Sequence, residues 1–146
     1  MRMNPVKEFE TLRAKTHQWT DLILEAEESP LAGIKGDLFD VEVEFEPAVD
    51  TETVFDLRGE KVVYHSQSQM LSCGNVRAPL KPKKGIIHLR ILLDRTSIEV
   101  FGNNGRVYIP RCIIPEDDNR SLSASCGKGE VGARCLRVHE LTAAWE

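Results

Sequence analysis

The sequence predicts an all-β domain, an antiparallel β-sandwich of the concanavalin-like or jelly-roll type. Three observations carry this: stretches alternating apolar and polar residues, almost no 3.6-residue periodicity, and short β-branched or aromatic runs parted by Gly, Asn, Asp and Pro. Period-two patterning turns one face of a strand to a core and the other to water. Many short strands without intervening helices favour two stacked antiparallel sheets over βαβ units. At 146 residues the chain fits one domain, and one core of that size removes roughly two thirds of the unfolded surface from water, so stability needs neither disulfide nor metal.

From the N-terminus, Val6 to Ala26 suits a helix as well as a strand, because Leu22, Ile23 and Leu24 are contiguous. Those three cannot all face one side of a strand, so at least one is expected to be exposed or paired. In the next segment, Asp37 to Glu46, Phe39, Val41, Val43 and Phe45 alternate with Asp40, Glu42, Glu44 and Glu46, a strand with one wet face that Pro47 ends. Four carboxylates in a row require polar or basic partners on the neighbouring strands.

Val54 to Leu57 and Lys61 to His65 read as weaker strands. Lys81-Pro82-Lys83-Lys84 reads as a solvated loop. Between Gly85 and Asp94, Ile87, Leu89, Ile91 and Leu93 share one face, and Ile86, His88, Arg90 and Leu92 the other. A strand this apolar belongs in the middle of a sheet. Ser97 to Phe101 and Arg106 to Ile109 are joined by Gly102-Asn103-Asn104-Gly105, whose Asn and Gly tolerate the positive φ of a tight hairpin. Leu122 to Ser125, Ala133 to Val138 and Glu140 to Trp145 complete the expected strands.

Nineteen basic against 23 acidic side chains, a formal charge of −4, leave no footprint for a phosphate backbone, so nucleic acid is not an expected partner. No stretch approaches the roughly 18 to 20 apolar residues of a membrane span, and Met1 to Pro5 lacks the apolar core of a signal peptide. A signal on a longer parent, secreted or periplasmic, would lie upstream, so the compartment stays open. Cys73, Cys112, Cys126 and Cys135 show no C-x-x-C spacing and are expected to be buried free thiols, with one disulfide as the alternative if the parent is exported.

Constellations that could carry chemistry have simpler readings. Asp94 and Glu99 suggest a glycosidase carboxylate pair, but their odd offset sends them to opposite strand faces unless a turn at Arg95-Thr96 resets the register. A turn cap at Asp94 is the better reading. The G-x-G-x-x-G string from Gly127 to Gly132 has too little chain after it for a βαβ unit and is expected to be a turn between strands. Glu116 to Asn119 lacks EF-hand spacing, and His17, His65, His88 and His139 are scattered, so no metal, cofactor or catalytic residue is expected. Trp19 and Trp145 could stack on a sugar ring, although packing into the core is the commoner fate of Trp in a small sandwich. Asn119-Arg120-Ser121 fits a glycosylation sequon, relevant only on a eukaryotic secretory path.

The run from Leu89 to Arg106, L-R-I-L-L-D-R-T-S-I-E-V-F-G-N-N-G-R, resembles the signature of the C-terminal β-sandwich of glycoside hydrolase family 32, which holds invertases, levanases and inulinases. Asn4 to Arg13 is similar to that family's connector out of its catalytic domain. Ala78-Pro79-Leu80, Val138 to Leu141 and Ala144-Trp145 also match. Thr96 stands where the family commonly has Ser, and Asn104 where it has Asp; both suit the same turn. The resemblance implies a connector over residues 1–15 and one sandwich over 16–146.

It also implies that the chemistry belongs to a five-bladed catalytic propeller carrying Asn-Asp-Pro-Asn, Arg-Asp-Pro and Glu-Cys motifs, none of which occurs in this chain. The expected function is a non-catalytic accessory module that packs against that propeller. The alternative is an independent fructan-binding module with an aromatic-lined groove. A module missing its propeller would expose an apolar patch, around Asn4 to Arg13 or Trp19 to Leu24, leading to a homodimer or poor solubility.

Overall fold

The computed structural model of the chain describes residues 13–25, 29–31, 33, 34, 36, 38–113, 121–127 and 130–141, and among these the only regular elements are strands. They are β1 Arg13–Glu25, β2 Phe39–Glu46, β3 Glu52–Leu57, β4 Glu60–His65, β5 Met70–Cys73, β6 Val76–Pro79, β7 Ile87–Leu93, β8 Ser97–Gly102, β9 Val107–Cys112, β10 Leu122–Cys126 and β11 Glu130–Leu141. One sheet has six strands in the order β1-β11-β2-β7-β8-β9; the other has five, β10-β3-β4-β5-β6. Every neighbouring pair is antiparallel. The chain is thus the antiparallel sandwich that the alternation predicts.

The core lies between the sheets. Phe39, Val41, Val43 and Phe45 of β2 and Ile87, Leu89, Ile91 and Leu93 of β7 are buried in register, because the ladder pairs Phe39 with Leu93 and Phe45 with Ile87. From the second sheet, Phe55 and Tyr64 meet Phe45 at ring centroid distances of 5.9 and 6.0 Å. Tyr64 is fully buried, and its hydroxyl donates to the carbonyl of Leu80 at 2.7 Å, so the aromatic contact costs no unpaired polar atom.

Three expectations are corrected. The segment that suited either helix or strand is a strand over its described part, β1. Its Asp21 has a φ of 51°, where the pairing passes from Thr20 opposite Cys135 to Leu22 opposite Ala133. At this left-handed residue the side-chain phase flips, so Trp19, Leu22 and Leu24 all turn toward the core and Ile23 is left 52% exposed. The two C-terminal strands expected from Ala133 are one strand over their described part, β11, which begins at Glu130, so Glu130, Val131 and Gly132 of the Gly-rich string are strand rather than turn. Finally, β5 and β6 were not expected, because M-L-S-C and V-R-A-P lack a β-branched alternation and β6 ends in proline. They pair as a hairpin at the sheet edge, the place where proline is tolerated.

The β8–β9 hairpin is where the Asn and Gly residues put it, with Gly102 paired to Val107. Asn103, Asn104 and Gly105 have φ of 49, 60 and 84°. Asn103 pins the turn from outside: its side chain accepts from the His88 amide at 3.0 Å and donates to the Lys81 carbonyl at 2.8 Å. Gly105→Val places a β-branched residue in left-handed backbone, so it should cost about 1 kcal/mol or more. An unchanged urea midpoint would contradict the strain.

Candidate functional site

The outer face of the six-stranded sheet is where the sequence places four carboxylates in water. The structure builds something drier. Asp40 is 0% exposed and His139 4%. Arg90 grips Asp40 with two donors, Nε to Oδ1 at 2.9 Å and Nη2 to Oδ2 at 2.6 Å. Glu42 accepts from His88 Nε2 at 2.8 Å and lies 3.5 Å from Arg137 Nη2. Thr16 Oγ1 and His139 Nδ1 meet at 2.9 Å.

The acidic strand β2 is flanked by β7, which brings His88 and Arg90, and by β11, which brings Arg137 and His139. Basic partners are what a row of carboxylates requires, but the pairing is diagonal. Arg90 lies opposite Glu42 yet bonds Asp40, and His88 lies opposite Glu44 yet bonds Glu42. Long side chains span this diagonal readily.

The hydrogen bond from His88 is the main reason the Glu42 carboxyl is held down at about 2 from an ordinary 4.5. Burial opposes the shift, and the charges of Arg137, His88 and Arg90 add to it. Two buried polar atoms of this layer, His88 Nδ1 and Arg137 Nε, have no hydrogen-bond partner.

Toward β9 the layer becomes aromatic. Phe101 and Tyr108 sit 5.0 Å apart, Tyr108 donates to Glu99 at 2.8 Å, and Leu92 and Phe101 are only 6% and 5% exposed. Ion pairs held by half-buried Arg beside an aromatic pair suit contact with another macromolecular surface.

The residues singled out from sequence fare differently. Trp19 is half-buried on the core side of β1, its ring 6.3 Å from His17 and 18° from parallel, while His17 contacts Glu140 at 2.6 Å. Trp145 lies outside the described residues, as do Glu116 to Asn119 and most of Asn4 to Arg13. Asp94 caps its turn, accepting from the Arg95 amide at 2.7 Å while its own amide donates to Ser97 at 2.9 Å. Glu99 is engaged by Tyr108, so these two carboxylates form no facing pair. No group of three or more potential ligands for a metal ion occurs among the described residues.

None of the four cysteines forms a disulfide. Cys73 and Cys126 are buried as expected; Cys112 is exposed and Cys135 half-buried, because each lies at an outward position of its ladder, opposite Ser97 and Glu44 respectively. Two open clefts stand out. One, of about 410 Å3, is at a loop end of the five-stranded sheet around Thr51, Glu52 and His65. The other, of about 460 Å3, is at the margin of the outer layer beside His88. Neither feature was legible as a site: the strand alternation marks Asp40 and Glu42 as wet, and only their partners on β7 and β11 reveal otherwise.

The model of the glycosyl hydrolases family 32 C-terminal domain matches residues 8–142. A levanase of Bacillus subtilis (strain 168) is 34% identical over an alignment covering 97% of this chain and 24% of the levanase. A levanase of Bacillus sp. (strain L7) is 31% identical, over 99% of this chain and 18% of its own length. The chain therefore spans about a quarter or less of these relatives. Among solved structures, exo-inulinase from Aspergillus awamori superposes with a TM-score of 0.78 at 18% identity, covering 99% of this chain and 33% of that one, which bears on the fold alone.

Proposed function

The chain belongs to the C-terminal domain of glycosyl hydrolase family 32, and from that premise we propose that it serves as the non-catalytic module of a β-fructosidase, packing against and stabilising a catalytic propeller. The observation that carries this reading is the match of residues 8–142 to a domain that makes up about a quarter of a levanase. Residues 1–15 are read as the connector to the propeller and 16–146 as the sandwich. The outer layer supports the reading, because the half-buried Tyr108 offers an aromatic face, backed by Phe101, beside the Asp40–Arg90 pair. The substrate of the whole enzyme would be sucrose, levan or inulin.

A direct test mixes the chain with a separately expressed family 32 propeller. Light scattering should find a one-to-one complex, the propeller's melting temperature should rise, and the chain by itself should release no fructose from any of the three substrates. Absence of a complex, together with retention of the chain in a levan-containing gel, would replace this reading with an independent fructan-binding module. Trp145 would then be the candidate platform to test, since Trp19 packs toward the core.

A further inference from the structure

At one corner of the sandwich the inward-facing positions stop being apolar. Glu60 begins β4 in phase with the buried Val62 and Tyr64, and Arg111 follows the buried Ile109 on β9, so both point between the sheets. They meet there: Arg111 Nη1 donates to Glu60 Oε2 at 3.0 Å, joining the six-stranded sheet to the five-stranded one. The two side chains are 24% and 25% exposed, so the pair sits at the mouth of the core rather than inside it.

Two observations show what the pair closes. Cys73 of β5 lies opposite Val62 and is wholly buried, with its thiol in hydrogen-bonding reach of Arg111. The next residue, Gly74, has a φ of 60°, and a Cβ there would run into the carbon and both terminal nitrogens of the guanidinium. The guanidinium therefore fills the space over the β5–β6 turn that any side chain at Gly74 would need. The hairpin beneath it is slight: β5 and β6 have four residues each, and β6 is an exposed edge strand. Elements of this kind open locally at a lower free energy than the core.

We propose that Arg111 is a clasp between the sheets, which with Glu60 holds the β5–β6 hairpin shut over Cys73, and whose release opens this corner without unfolding the rest. The base of the hairpin stays anchored, because the Leu80 amide donates to the Gln69 carbonyl at 2.9 Å and the Tyr64 hydroxyl to the Leu80 carbonyl at 2.7 Å. While the clasp is closed, burial keeps the Cys73 thiol protonated and out of reach.

The test follows the labelling of the full chain by the neutral aromatic disulfide dithiodipyridine, with each cysteine located by peptide mass. A thiolate takes one half of the reagent and expels the other as thiopyridone, so labelling needs an open, deprotonated thiol. The exposed Cys112 should react at once and Cys73 much more slowly. Arg111→Met keeps most of the stem and should speed Cys73 about fivefold or more, while Cys126, buried at the far edge of the same sheet, keeps its rate. Arg111 favours the thiolate, so its removal cannot raise the rate by making the thiol more acidic. Glu60→Gln should give the same pattern at about twofold. Three results would overturn the proposal: Cys73 reacting as fast as Cys112 in the wild type, an unchanged Cys73 rate in both variants, or Cys73 and Cys126 accelerating together, which would mean a general loss of stability.

Discussion

Arg90→Met is expected to lower the unfolding free energy by about 3 kcal/mol, the order of loss found when one member of a buried ion pair is removed. Asp40 is wholly inaccessible, and Arg90 supplies it with two short, charge-assisted hydrogen bonds. Methionine fills much of the arginine stem's volume, so the loss reports on the charge rather than on a cavity. Adding Asp40→Asn removes the buried negative charge and should return part of the loss. Urea midpoints with an unchanged m-value provide the measurement. A loss below about 1 kcal/mol would mean that water reaches Asp40 and that the outer face is open, which would weaken its role as a docking layer.

The second large effect is in pH. Glu42 has its folded pKa depressed to about 2 from 4.5, so its ionised form stabilises the native state. That contribution is complete above the unfolded value and is lost as pH falls from about 5 through about 2; at this half-buried site, where water screens part of the interaction, it amounts to something on the order of 1 to 2 kcal/mol. Other carboxylates titrate in the same window, so the informative quantity is the difference between the wild type and Glu42→Gln. The variant should be the less stable near neutrality, and the gap should close steadily toward about pH 2. A constant gap would show that His88 binds the neutral glutamine as well as the carboxylate.

Much of the fold is written in period two. Phe39 to Phe45 and Ile87 to Leu93 lie in the core because each alternates with polar or outward residues, and Asn103-Asn104-Gly105 turns because few other residues accept that backbone. Family membership was legible from the run Leu89 to Arg106 for a related reason: it combines a central strand, a turn and a hairpin, and so leaves little freedom in its residues. The short strands β5 and β6, the second of them at the sheet edge, were not legible, because strands this short hold their place through pairing partners rather than through pattern.

The sequence by itself determined the strand content, the core faces of β2 and β7, the hairpin and the family. Tertiary structure alone decided that the outer face is a packed polar layer. Alternation states which way a side chain points and is silent on what lies above it. Asp40 is buried because Arg90, fifty residues later, reaches across from the next strand on a diagonal. In the same way, one left-handed residue, Asp21, reverses the phase of β1 and exposes Ile23. Both outcomes depend on ladder register and side-chain reach across strands, long-range quantities that a local pattern does not contain.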